Sequence, residues 1–167
     1  AQSRNDEDCD STRPHLGRNK ELNGHMTAAV LYGKEDVKIE KVPIPRVGDG
    51  EVLIKVQVAL TCGTDLKAYL RGHPLIPMPG PFGHEYSGIV AERGMGVKRF
   101  RVGDPVMGVH SSPCLACAFC RRKLYHLCED IMATKVLGSF AEYLLIPRRI
   151  VEQNIFMKPD NISFDEA

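Results

Sequence analysis

Residues 51–70, EVLIKVQVALTCGTDLKAYL, set the architecture of this chain. Val52, Ile54, Val56, Val58 and Leu60 occupy every second position, with Glu51, Lys55 and Gln57 between them. A side-chain period of two puts the apolar set on one face of a strand and the charged set on the other. Carried two residues on, the alternation places Cys62 on the apolar face at the strand's end. Gly63-Thr64-Asp65 then reads as a turn, and residues 66–70 as a short helix stopped by Gly72 and Pro74.

The flanks are also β in character. Residues 28–32 form an apolar strand ended by Gly33, and Val37 and Ile39 alternate with Lys38 and Glu40 before Pro43 and Pro45 break the chain. Gly48-Asp49-Gly50 is a turn. Downstream, a Pro/Gly-rich loop covers 74–83. Gly83-His84-Glu85 opens a strand running to Val90, with Gly88 inside it marking a bulge or a close backbone approach. Gly94 and Gly96 turn the chain, Gly103-Asp104 begins a strand over 106–109, and residues 140–146 form a last strand halted by Pro147. Many short strands with Gly/Pro turns and few helices predict a mainly β fold, a small, partly open barrel or sandwich. Residues 1–26 are polar and charged without an apolar period, and are expected to be a disordered or tag-like leader, with Gly24-His25-Met26 resembling a cloning junction. Cys9, His15 and His25 are set aside with it. Residues 27–167 are then one domain. Ser163-Phe164-Asp165-Glu166 fits the S-x-x-E capping box, so a helix is expected to begin there, as in a chain cut from a longer one. No strand–GxGxxG–helix unit occurs; Gly94-Met95-Gly96 lacks the third glycine.

Cys114, Cys117, Cys120 and Cys128 read C-x2-C-x2-C-x7-C inside a lobe over 110–130 that has few large aliphatics. Zinc takes four such thiolates in a closed tetrahedron, and neighbours in a tight loop supply three corners while the returning chain supplies the fourth. The alternative is two disulfides. Cysteines two residues apart meet the required Cα and Cβ geometry poorly, and no secretory apolar segment accompanies them. Structural zinc follows, worth about 10–16 kcal/mol in small peptides.

Composition narrows the function classes. The chain has 167 residues, 43% hydrophobic and 26% charged, with a net charge of +1. Its near-neutral charge gives no broad basic surface for nucleic acid, and no apolar run reaches the length of a membrane span. A reducing, cytoplasmic setting is expected.

Three stretches in order carry a resemblance: Cys62-Gly63-Thr64-Asp65, then Gly83-His84-Glu85-x-x-Gly88, then Gly103-Asp104 leading into the four-cysteine lobe. Together they resemble the zinc-dependent medium-chain dehydrogenases, the alcohol, polyol and threonine dehydrogenase family, over residues 26–167. The resemblance implies a GroES-like, partly open β-barrel with short helices and a zinc lobe. In the family this is the catalytic domain, and the Rossmann domain that follows it and binds NAD(P) is absent from this chain. It further implies a small-molecule alcohol as substrate, a homodimeric or homotetrameric parent, and a fragment that is monomeric and turns over little. Lys123 stands where many members carry glycine.

Residue by residue, the resemblance makes Cys62 and His84 ligands of a catalytic zinc that keeps one position open. Glu85 either coordinates that metal or stands just behind it; otherwise it is a charge neutralised by a nearby Lys or Arg. Asp65 resembles the carboxylate that holds the ligand histidine, and alternatively caps the helix at Leu66. Thr64 resembles the hydroxyl that receives the substrate's proton. Gly63, Thr64 and Lys67 are candidate cofactor contacts. His73, His110 and His126 have no motif around them. Two zincs per chain follow, one catalytic and one structural. The competing class is a zinc-stabilised binding or assembly module, with Arg121, Arg122 and Lys123 as its basic patch. No aromatic stacking row accompanies that patch.

Overall fold

The computed structural model describes Leu22 and residues 24–167. The expected leader, with Cys9 and His15, lies outside the described residues up to residue 21 and at Asn23. Its far end does not. The first strand, β1, runs His25–Gly33 and pairs antiparallel with β2, Asp36–Pro43, in a register that sets His25 against Pro43 and Met26 against Val42. Met26 is buried, so folded structure begins two residues before Thr27.

The remaining strands and α-helices are β3 (Val52–Val58), α1 (Gly63–Arg71), β4 (Gly80–Pro81), β5 (Tyr86–Arg93), β6 (Pro105–Gly108), α2 (Ala118–Arg121), β7 (Tyr143–Ile146), α3 (Arg148–Gln153) and β8 (Ile155–Met157), with one 3-10 turn at Tyr125–Leu127. They form two antiparallel sheets, β2-β1-β4 and β7-β3-β5-β6-β8. Residues 140–142 join them. Phe140 O accepts from Ala29 N, Glu142 N donates to Thr27 O, and Glu142 O accepts from Val56 N. Among the described residues the two sheets do not close into one barrel, in keeping with a partly open one.

The strand at the centre of the sequence is also central in its sheet, because β7 and β5 satisfy both its edges. Val52 and Ile54 enter the main core with Val90, Phe100, Val106 and Ile146. Full burial of each such side chain contributes about 1.5–3 kcal/mol. Two details depart from strict alternation. Leu53 is fully buried on the opposite face, and Leu60 is half exposed because β3 ends at Val58. Residues 140–146 do not end the strands: Pro147 caps α3, and β8 then pairs with β6. Gly88 behaves as its position predicts. A Cβ there would lie 2.4 Å from Lys55 O and 2.6 Å from Ile54 Cγ2, and the β3–β5 register shifts on either side of it.

Register positions the site. Val58 pairs with Ser87, and Tyr86 pairs with Gly108. The exit of β3, the entry of β5 and the exit of β6 therefore lie together at one end of the second sheet. The lobe leaves after β6 and returns at Val136, whose N–H donates to His110 O at 2.7 Å.

Candidate metal centres

Cys62 is not the last inward residue of a strand. It is the N-cap of α1: its Sγ accepts from Thr64 N at 3.2 Å. Asp65, at the third helical position, completes a capping box by accepting from Cys62 N through Oδ2 at 3.0 Å. Its other oxygen, Oδ1, lies 3.1 Å from His84 Nδ1. Asp65 thus contacts both the helix start and His84, one per carboxylate oxygen. Asp65 is 1% exposed, so the pair is shielded from water. With Nδ1 held by the carboxylate, Nε2 is the nitrogen left for a ligand.

His84 Nε2 lies 3.1 Å from Cys62 Sγ. A tetrahedral zinc, about 2.3 Å from sulfur and 2.1 Å from nitrogen, holds such a pair about 3.5 Å apart. Cys62, His84 and Glu85 present ligand atoms that all lie within 4.8 Å of one another. The site thus fits a metal on distance and on donor chemistry. Gly83, left-handed at φ +86°, turns the chain into His84; a Cβ there would lie 2.6 Å from Ser139 Oγ.

Beside this trio a cavity of about 320 Å³ is lined by His84, Glu85, Leu60, Val109, Phe164 and His110, among others. Ser87 Oγ donates to Phe164 O at 2.6 Å, which holds the C-terminal segment over the cavity. The expected capping box there forms: Ser163 N donates to Glu166 Oε2 at 2.8 Å and Glu166 N to Ser163 Oγ at 3.3 Å. Gly63, Thr64 and Lys67 follow Cys62 along α1 but do not line the cavity, and Gly63 and Lys67 are exposed. His110 is the residue that motif reading passed over. Its ring meets the His84 ring edge-on at 5.0 Å, and burial, then the neighbouring His84, lowers its pKa from the ordinary 6.5. Only the β5–β6 register carries that placement. His73 and His126 stand apart, His126 exposed on the lobe and His73 accepting from Leu75 N.

The four-cysteine group is a second, separate centre. Cys114, Cys117, Cys120 and Cys128 are unbridged, and their sulfurs all lie within 4.8 Å of one another. A zinc tetrahedron with arms of about 2.3 Å has edges of about 3.8 Å; Cys114 and Cys120 Sγ are 3.9 Å apart. Backbone N–H groups point at the sulfurs: Ala116 and Cys117 at Cys114, Cys120 at Cys117, and Cys114 at Cys128. Those donors lower the Cys114 thiol and bring Cys117 down to about 6, first through Cys120 N–H, whereas burial raises Cys120. A cation is the partner that would keep all four ionised together. Lys123 follows α2 at φ +61°, with its N–H on Cys120 O and Leu124 N–H on Phe119 O. That is a Schellman ending with lysine in the position that favours glycine. Leu115, between the first two cysteines, is also left-handed at φ +60°.

Comparison with known proteins agrees with this arrangement. Residues 48–156 match the model of the alcohol dehydrogenase GroES-like domain. The chain is 36% identical over 149 residues to a sorbitol dehydrogenase of Bacillus subtilis (strain 168), covering 86% of this chain and 41% of that protein. It is 39% identical over 142 residues to an L-threonine 3-dehydrogenase of Escherichia coli O1:K1 / APEC, covering 82% and 40%. The fold superposes on a cobalt- and zinc-bound thermostable alcohol dehydrogenase from Pyrobaculum aerophilum with a TM-score of 0.72 at 28% identity, covering 84% of this chain and 43% of that one. The chain spans about two fifths of the length of the relatives it matches. Among the described residues no helix is long and apolar enough to cross a membrane.

Proposed function

We propose, from the premise that this chain belongs to the alcohol dehydrogenase GroES-like domain family, that it is the metal-holding catalytic domain of a zinc-dependent oxidoreductase. The reaction is hydride transfer from an alcohol, polyol or hydroxy amino acid to NAD or NADP. The observation that carries the reading is the line Cys62 Sγ, His84 Nε2, His84 Nδ1, Asp65 Oδ1, with steps of 3.1 Å at each end, set against an open cavity. A ligand pair braced by a buried carboxylate beside a substrate-sized space is what a catalytic metal needs.

In this reading Cys62, His84 and Glu85 would hold one zinc, and Cys114, Cys117, Cys120 and Cys128 the other. Bound at the first site, zinc supplies Lewis acidity toward the substrate oxygen. The chain's own residues do the rest. Asp65 fixes the His84 tautomer and ties it to the start of α1, so the thiolate and imidazole keep their spacing. Leu60, Val109 and Phe164 give the cavity an apolar wall that seats the carbon side of the substrate. Thr64, whose N–H donates to Cys62 Sγ at 3.2 Å, stands beside the metal site outside the cavity and would receive the proton released there; Gly63 and Lys67 would contact the cofactor. A bound nicotinamide would supply the hydride acceptor, and the protein position and charge around it. The parent is a cytoplasmic homodimer or homotetramer. A zinc-stabilised binding module would account for the four-cysteine group but gives no reason for the Cys62–His84–Asp65 arrangement.

Elemental analysis of the purified chain tests this. Two zincs are expected, falling to one in Cys62→Ser with the lobe's metal retained. Unchanged metal content in that variant would show that the catalytic site is misassigned.

A further inference from the structure

His110 has no part in the metal set, yet it projects into the same cavity. Its main chain is fixed, since its carbonyl accepts from Val136 N where the lobe closes. Its ring contacts the His84 ring at 5.0 Å and 65°, and the residue is half-buried. Among the described residues no group hydrogen-bonds that ring. Much of the cavity wall about it is apolar: Val58, Leu60, Val109 and Phe164. A half-buried imidazole without a protein partner is poorly placed in a pocket meant for a hydrocarbon chain, because a polar group left unmatched by a ligand weakens binding. It is well placed for a ligand that brings its own polar atom. His84 is committed through Nδ1 to Asp65 and through Nε2 to the metal site, so a ring in contact with it reaches an oxygen only a few ångströms from one seated at that metal, the span of adjacent carbons rather than of opposite ends of a chain.

We propose that His110 is a specificity-determining residue that hydrogen-bonds a second oxygen of the substrate, on the carbon next to the one oxidised. The site thereby favours vicinal diols over monohydric alcohols. This rests on the metal-site reading of Cys62 and His84, with the first oxygen seated beside His84.

The test uses the whole chain, zinc in the lobe and Co(II) exchanged into the open site, with propylene glycol and isopropanol as probes. Only an open site changes its visible absorption when a ligand enters, since four thiolates leave no free position. Propylene glycol is expected to bind about tenfold more tightly than isopropanol. His110→Phe should abolish that advantage while leaving isopropanol within about twofold and the unliganded cobalt band unchanged; His110→Gln, which keeps a donor, should retain part of it. A normal cobalt band with no preference for the diol, or a loss in His110→Phe that is equal for both alcohols, overturns this inference alone. Absence of any cobalt band overturns the metal-site reading and this inference with it.

Discussion

Arg149 should prove to be the clamp that fixes the zinc lobe to the sheet. From α3 its guanidinium donates to Pro113 O at 3.0 Å, Ser112 O at 2.8 Å, Asp130 O at 3.1 Å and Asp130 Oδ2 at 2.8 Å. It thus grips both stems of the lobe. Ser112 is fully buried, so its carbonyl and that of half-buried Pro113 lose their donor in Arg149→Met, at about 1–1.5 kcal/mol each. The Asp130 carboxylate is 53% exposed, and that ion pair adds only about 0–0.5 kcal/mol. The sum, about 2–3.5 kcal/mol, makes opening of the lobe about 30–400-fold more frequent. Amide exchange and limited proteolysis over residues 112–130 should accelerate by that factor, while β3 amides keep their protection. Arg149→Lys should recover less than half, because one ammonium cannot serve a planar fork of acceptors. Lobe exchange faster by less than about threefold, or full rescue by lysine, would refute the argument.

Three further outcomes follow from particular contacts. Lys123→Gly should raise stability in urea by about 0.5–1 kcal/mol: relief of the left-handed conformation, about 1–2 kcal/mol, outweighs the greater freedom glycine gives the unfolded chain; destabilisation would count against the Schellman assignment. Asp65→Asn should weaken metal binding at the Cys62–His84 site about 10–100-fold in a chelator competition and leave the four-cysteine metal in place; equal loss at both sites would make Asp65 a folding residue only. Glu142 accepts from Thr27 N at 2.5 Å, which holds its pKa below the ordinary carboxylate value. A lowered folded-state pKa gives stability that is present above the unfolded value of about 4.3 and lost as pH falls through the folded one. Glu142→Gln should therefore lower the urea midpoint near pH 7 and converge with the unsubstituted chain near pH 3; an offset that persists in acid would assign the effect to packing.

The legible parts of this chain were those whose chemistry is local. Three cysteines at short intervals and a fourth on the returning chain must meet, because the loop is too short to part them, and the structure gathers all four sulfurs within 4.8 Å. Alternation named β3 and two of its three buried residues, Val52 and Ile54 but not Leu53, and Gly88 foretold the close approach of Lys55 O. The capping box at Ser163–Glu166 was likewise a matter of four residues. Cys62 and His84 were named through family motifs, and local pattern gave the wrong reason for Cys62, which caps a helix instead of ending a strand.

What lay beyond sequence was set by pairing between distant strands. Cys62 meets His84 because Val58 pairs with Ser87, and His110 joins them because Tyr86 pairs with Gly108. Arg149 finds its acceptors across the lobe's two stems only once α3 has packed beside them. Register and bulges depend on the summed packing of whole faces, and a side chain carries no mark of the neighbour that summation will bring. Residue type and spacing therefore fixed which groups could bind metal, whereas the packing of the second sheet fixed which of them share one cavity.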